Sequence, residues 1–102
     1  MMNTWPFDQP QNCGTIISRA ILEGRNAILY VSHDEDDHGW QFLDNETFEA
    51  KDAALVCLSH VVGLDPSVVE VADLEPGWIA TRSHLGAVWV RELAPPEDED
   101  DE

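Results

Sequence analysis

Val31-Ser-His-Asp-Glu-Asp-Asp-His-Gly-Trp-Gln-Phe42 sets six consecutive charged or titratable residues, His33 to His38, between an apolar run and an aromatic run. Such a stretch can be a metal loop, a binding edge or a hairpin connection. The choice decides the fold, so the flanks are taken first. Upstream, Ala27 to Ser32 alternates as a strand, with Ala27, Leu29 and Val31 on one face and Ile28 and Tyr30 on the other. Both faces are apolar, which predicts a central place in a sheet. Downstream, Trp40 to Leu43 reads as the next strand, and with only Asp34 to Gly39 between them the two should form an antiparallel hairpin.

Working outward, Gly14 to Ser18 holds the β-branched run Thr15-Ile-Ile17 and reads as a first strand, while Leu22-Glu-Gly-Arg-Asn26 carries turn residues. Residues 1–13, with Trp5-Pro-Phe7, form an irregular N-terminal arm whose aromatics are expected to pack back onto the body. Lys51 to Val62 is predicted as the one main helix. Ala54, Cys57, Leu58, Val61 and Val62 follow helical spacing and define a core stripe, with Lys51, Asp52, Ser59 and His60 off it. Gly63 suits a left-handed cap with Leu64 folding back, and Asp65-Pro66 caps a short turn over Ser67 to Val69. Glu75-Pro-Gly77 then turns the chain into Trp78–Ser83 and Ala87–Glu92, a second hairpin around Leu85-Gly86. The expected fold is α+β: a small antiparallel sheet of about five strands, in the order β-β-β-α-β-β, packed on one main helix. A single domain spans residues 14–93, and residues 94–102 should be a disordered acidic tail with nothing apolar to bury.

The 102 residues suffice for one core, and 43% hydrophobic with 25% charged residues is an ordinary globular composition. The charge balance is not ordinary. Five Lys plus Arg against 21 Asp plus Glu give a formal charge of −16, and removing the six acids Glu97 to Glu102 still leaves −10. Phosphate backbones and anionic membranes should repel such a body, so neither nucleic acid nor membrane is an expected partner. A basic protein partner is allowed, and would associate faster for it. The N-terminus lacks a cationic segment followed by an apolar one, and no stretch approaches the roughly 20 apolar residues of a membrane span, which predicts a cytoplasmic protein. Cys13 and Cys57 lie far apart with no metal-ligand spacing, and both read as reduced thiols.

The chemistry of the acidic stretch can be tested position by position. Asp34, Asp36, His38 and Gly39 fall at positions 1, 3, 5 and 6 of a calcium-loop register, but position 5 is His and position 12 is Asn45, so the bidentate carboxylate is missing. His33, Asp34, Asp36 and His38 are the residue types of a zinc or nickel site, which makes a metal- or small-ligand-binding regulator the alternative function. Ser32-His33 and Ser59-His60 are neighbours in sequence, yet neighbours on a strand or helix point apart, so a catalytic serine is not expected. Cys57 on the predicted stripe reads as a small core residue. Without a phosphate loop or dinucleotide fingerprint, the expectation is no cofactor and no enzymatic activity. Four tryptophans are dense for this length, and Trp78 with Arg82 and Trp89 with Arg91 bring indoles and guanidiniums together on the second hairpin. These groups either fill and cover the core or form a recognition face.

Ile16-Ile-Ser-Arg-Ala-Ile-Leu-Glu-Gly24, Ile28-Leu-Tyr30, Asp37-His-Gly-Trp-Gln-Phe42 and Asp65-Pro-Ser-Val-Val69 resemble the ordered landmarks of a bacterial domain family of unknown function grouped with the immunity proteins of polymorphic toxin systems. The resemblance spans roughly residues 14–92. Asp37, Gly39, Trp40 and Phe42 match its strongest landmark, while His38 stands where a small residue is usual and the segment between Asp44 and Val56 is shorter and less acidic. The family assigns no catalytic or ligand residue. The resemblance implies a small cytoplasmic binding protein, with toxin neutralisation as its role. Together these readings predict a protein-binding surface formed by Asp37, Gly39, Trp40, Trp78, Arg82 and Trp89.

Overall fold

In the computed structural model, which describes residues 5–7, 9–36, 39–44 and 53–94, the β-branched run forms β1 (Gly14–Ser18) with the expected bounds. Branching at Cβ stiffens χ1 and suits a pleated surface. A single helical turn follows where only a turn was expected, α1 (Arg19–Leu22), and it buries Ile21. β2 (Tyr30–His33) and β3 (Trp40–Leu43) make the expected antiparallel hairpin, with His33 opposite Trp40 and Val31 opposite Phe42. The Asp34 N–H donates to the Gly39 carbonyl at 2.7 Å and closes it. β2 starts later than the alternation suggests: the Ile28 carbonyl accepts from Arg82 Nε at 3.0 Å, while Leu29 still donates to the Leu43 carbonyl and accepts from the Arg82 N–H.

The predicted helix over Lys51 to Val62 is corrected at its first half. Ala53–Cys57 is a strand, β4, and the helix α2 begins only at Leu58 and runs to Leu64. The cause is non-local. β1 would otherwise present an unpaired edge, and all five residues of β4 pair with it antiparallel, from Gly14↔Cys57 to Ser18↔Ala53. Of the expected stripe only Leu58 and Val61 are fully buried; Ala54 and Val62 are half-buried and Cys57 is exposed. Gly63 lies inside α2 without a positive φ, and Leu64 points outward, so the expected left-handed cap does not form. Lys51 and Asp52 fall outside the described residues.

Asp65 caps the next element as its chemistry predicts: Oδ1 accepts from the Ser67 N–H at 3.1 Å and from its hydroxyl at 2.6 Å. The element is a 3₁₀ helix, Pro66–Val71, longer than the single turn expected, and it buries Val68 and Val71. At Glu75-Pro-Gly77 the Trp78 N–H donates to the Glu75 carbonyl at 3.0 Å, and Gly77 takes φ 88°, the left-handed position of a type II turn. β5 (Trp78–Thr81) and β6 (Val90–Leu93) then form the second hairpin, shorter than predicted.

The described strands form one sheet of six in the order β4-β1-β3-β2-β5-β6. It is mixed, because β1 runs parallel to β3 while the other pairs are antiparallel. This corrects the expected all-antiparallel sheet of about five strands on one main helix. The parallel pair requires a crossover, which α1 and the chain leading into the β2–β3 hairpin supply. β2 is central, as its two apolar faces imply.

Cross-strand partners share a face, so the registers sort every side chain. One face carries Ile17, Phe42, Val31 and Ala80 in a row and His33 beside Trp40 in the next, all buried. Phe7, Ile21, Ile28, Leu58, Val61, Val68, Val71 and Leu74 complete this core. Each large side chain contributes about 1.5–3 kcal/mol by leaving water. The N-terminal arm packs back as expected: Phe7 meets Trp40 edge-on at 5.1 Å, and Trp40 Nε1 donates to Gln9 Oε1 at 2.8 Å. No helix among the described residues is long and apolar enough to cross a membrane. Of the expected tail, residues 94–102, Ala94 is held in place, its N–H donating to the Gly77 carbonyl at 2.8 Å, and residues 95–102 lie outside the described residues.

Candidate binding surface

In the hairpin at the acidic stretch, Asp34 bonds within the turn and His33 is turned to the core. Asp34 Oδ1 accepts from the Asp36 N–H at 2.9 Å, an Asx turn that stiffens the connection. His33, one residue earlier, points the other way. Its ring stacks on Trp40 with centroids 4.0 Å apart and planes 12° apart, and Nδ1 lies 2.6 Å from the Leu74 carbonyl. A carbonyl only accepts, so Nδ1 carries the proton. The His33 ring is thus turned to the core while Asp34 and Asp36 sit in the turn, and no group of three or more His, Cys, Asp or Glu among the described residues could hold a metal ion. Asp37 and His38, predicted for binding and for the alternative metal site respectively, fall outside the described residues.

The other predicted binding residues are brought together only in part, and mostly in the interior. Trp40 is 1% exposed and Arg82 5%, so neither can touch a partner while the fold is intact. Arg82 ties three elements: Nε donates to the Ile28 carbonyl, Nη1 to Ser67 Oγ at 3.0 Å, and Nη2 pairs with Asp65 Oδ2 at 2.8 Å. Its guanidinium covers the Trp89 ring at 4.1 Å. The expected pairing of Trp78 with Arg82 and Trp89 with Arg91 is therefore corrected, because the β5–β6 hairpin folds Trp89 back over Arg82. Arg91 reaches Asp73 instead, at 2.8 Å, and this hydrogen bond holds the Asp73 carboxyl below its ordinary range. Trp78 and Trp89 are half-buried against the core, and Gly39 is half-buried at the hairpin.

Hydrolytic chemistry finds little support in the geometry. Ser32 and His33 lie on opposite faces of β2, as alternation requires. Ser83 Oγ and His84 Nδ1 stand 2.9 Å apart on an exposed turn, but no carboxylate among the described residues orients that imidazole. Buried Asp44 accepts from Asn26 Nδ2 at 2.8 Å and Ser18 Oγ at 3.3 Å, which joins the ends of β1 and β3.

The second face of the sheet is the surface that sequence reasoning passed over. By register it presents Leu55, Ile16, Gln41, Ser32, Ile79 and Glu92 in one row. Leu43, Tyr30, Thr81 and Val90 form the next row. No described helix packs there; Ile79 is buried, Ile16, Tyr30 and Leu43 are half-buried, and Leu55 and Val90 at its two ends are 73% and 59% exposed. The signal lies in the apolar residues of both parities in Ala27 to Ser32, which predict a central strand and say nothing of which face is covered. Burial first, and then the Glu92 carboxylate, raise the Tyr30 phenol above its usual value. Among the described residues every arginine is already engaged: Arg25 with Glu23, Arg82 with Asp65, Arg91 with Asp73 and Arg19 with the Ala53 carbonyl. Three of these four arginines are thus paired with acids, and Arg19 alone bonds a neutral carbonyl.

Comparison with protein-family models, with curated proteins and with solved structures gives no match for this chain.

Proposed function

We propose that this protein is a non-enzymatic acidic binding module that takes a basic protein partner on the open face of its sheet. The observation that carries this reading is a face over which no described helix packs, with Leu55 and Val90 exposed and Ile16, Tyr30 and Leu43 half-buried, on a body of formal charge −16. Exposed apolar patches of this kind serve docking in other proteins, and the surrounding field accelerates encounter with a cationic partner. Tyr30 supplies the rigid amphipathic anchor typical of such surfaces. Neutralisation of a toxin is the narrower form, supported by the resemblance of Asp37, Gly39, Trp40 and Phe42 to an immunity-protein landmark.

The test is calorimetric titration of the purified protein with the basic protein encoded beside it. Binding should weaken as salt rises, and Tyr30→Ala and Leu43→Ala should each weaken it by about tenfold or more while the variants remain folded. Absence of binding to any co-encoded basic protein would remove the reading, and binding without inhibition of a toxic activity would remove its narrower form.

A further inference from the structure

Among the described residues the sheet has two free edges, β4 and β6, and they differ in charge. The Leu58 N–H donates to the Cys13 carbonyl at 2.8 Å, so by alternation Val56 and Ala54 also turn their main-chain groups toward β1. Leu55 and Cys57 turn theirs outward, where no described residue meets the main chain of Leu55. At the opposite edge the Ala94 N–H donates to the Gly77 carbonyl at 2.8 Å, which leaves Arg91 and Leu93 of β6 facing outward. Exposed strand edges of this kind are templates for pairing with another strand.

We propose that β4 is the site at which a second copy of this chain pairs, antiparallel and two-fold symmetric about Leu55. In that register Leu55 meets Leu55 of the second copy, Ala53 meets Cys57, and Ala54 meets Val56. Every contact is apolar, and the Leu55 N–H and carbonyl each find their complement in Leu55 of the second copy; the Ala53 carbonyl keeps its bond from Arg19, and the Cys57 carbonyl opens α2 as its N-cap. The ten residues of β1 and β4 carry no charge in a chain of −16; in the described structure a cation, Arg19, bonds the Ala53 carbonyl of β4, and the Asp44 carboxylate at Ser18 is buried away from solvent. This is where two such acidic bodies can approach. β6 excludes the same partner: the two antiparallel registers that overlap most of it set Arg91 against Arg91 or Glu92 against Glu92, and like charges directly opposite are destabilising. A two-fold axis normal to the sheet also places both open faces on one side of the resulting assembly.

Sedimentation equilibrium of the full chain tests this independently of any partner. A concentration-dependent dimer is expected, tightening as salt rises because screening relieves the repulsion of two acidic copies; capture of a basic protein responds to salt in the opposite sense. Leu55→Lys, at an exposed position, should abolish the dimer without lowering the melting temperature, and Leu55→Pro should do the same by removing an outward N–H that the β1–β4 ladder does not use. Leu93→Lys on β6 should leave the dimer intact. A monomer at high salt and on the order of 0.5 mM protein, far above the micromolar range of ordinary specific association, would overturn the proposal. So would a dimer that survives Leu55→Lys or one that dissolves with Leu93→Lys. Loss of partner binding with the dimer retained would count against the open-face reading alone.

Discussion

The two faces of the sheet are built from the same strands, yet one is sealed and the other open. On the sealed face Val31, Phe42, Ile17 and Ala80 have no exposure at all, under a layer drawn from the arm, both helices and the 3₁₀ segment. On the open face Tyr30, Leu43 and Ile16, their immediate sequence neighbours, are only half-covered. One residue of displacement along a strand separates a core position from a surface one, so a uniformly apolar strand is ambiguous until the covering layer is known. Folding stability should reside on the first face and recognition on the second.

The largest effect that could break this contrast is truncation of a ring. Phe42→Ala should lower unfolding free energy by about 3–5 kcal/mol in denaturant titration, whereas Tyr30→Ala on the open face should cost less than about 1.5 kcal/mol. Equal losses would mean that the open face is packed after all. A smaller effect is expected at Arg82. Arg82→Ala strands the mostly buried Asp65 carboxylate and should cost about 3 kcal/mol, with Arg82→Lys retaining part of it, since an ammonium cannot serve Ile28, Ser67 and Asp65 at once. The smallest effect sharpens the contrast by pH. Because the folded-state value of Tyr30 lies above the ordinary 10.0, its contribution is fully present below pH 10 and is lost as pH rises through the elevated value. Absorbance titration should show a late-ionising phenol that Tyr30→Phe removes, and a phenol ionising at the ordinary pH would show that Tyr30 is fully solvated.

Much of this architecture was legible in local sequence. Thr15-Ile-Ile17, the alternation around the acidic hairpin, the Asp65-Pro66 cap and the Pro-Gly turn at Gly77 each act within a few residues. What was illegible depended on distant demands. Ala53-Ala-Leu-Val-Cys57 fits a helical stripe on spacing alone, and only the unpaired edge of β1, some forty positions away, draws it into a strand. The parallel β1–β3 pair likewise has no local signature. At the candidate site, the abundance of Trp and Arg was visible but its use was not. Trp40 and Arg82 serve the interior because the arm supplies Gln9 and the 3₁₀ segment supplies Ser67, two partners that no motif around either residue announces.

β1 is flanked by β3 and β4, both of which follow it in the chain. During synthesis the apolar Thr15-Ile-Ile17 emerges first and waits for the forty or so residues that complete its pairing, a delay of about 2–8 s at ordinary translation rates. The β2–β3 hairpin can close by itself in that time, because its contacts are local. The nascent chain therefore passes through an interval in which its first strand is solvent-exposed and sticky. Protection in that interval would have to come from the ribosome surface or a chaperone, and slowed translation before Cys57 should raise the fraction lost to aggregation.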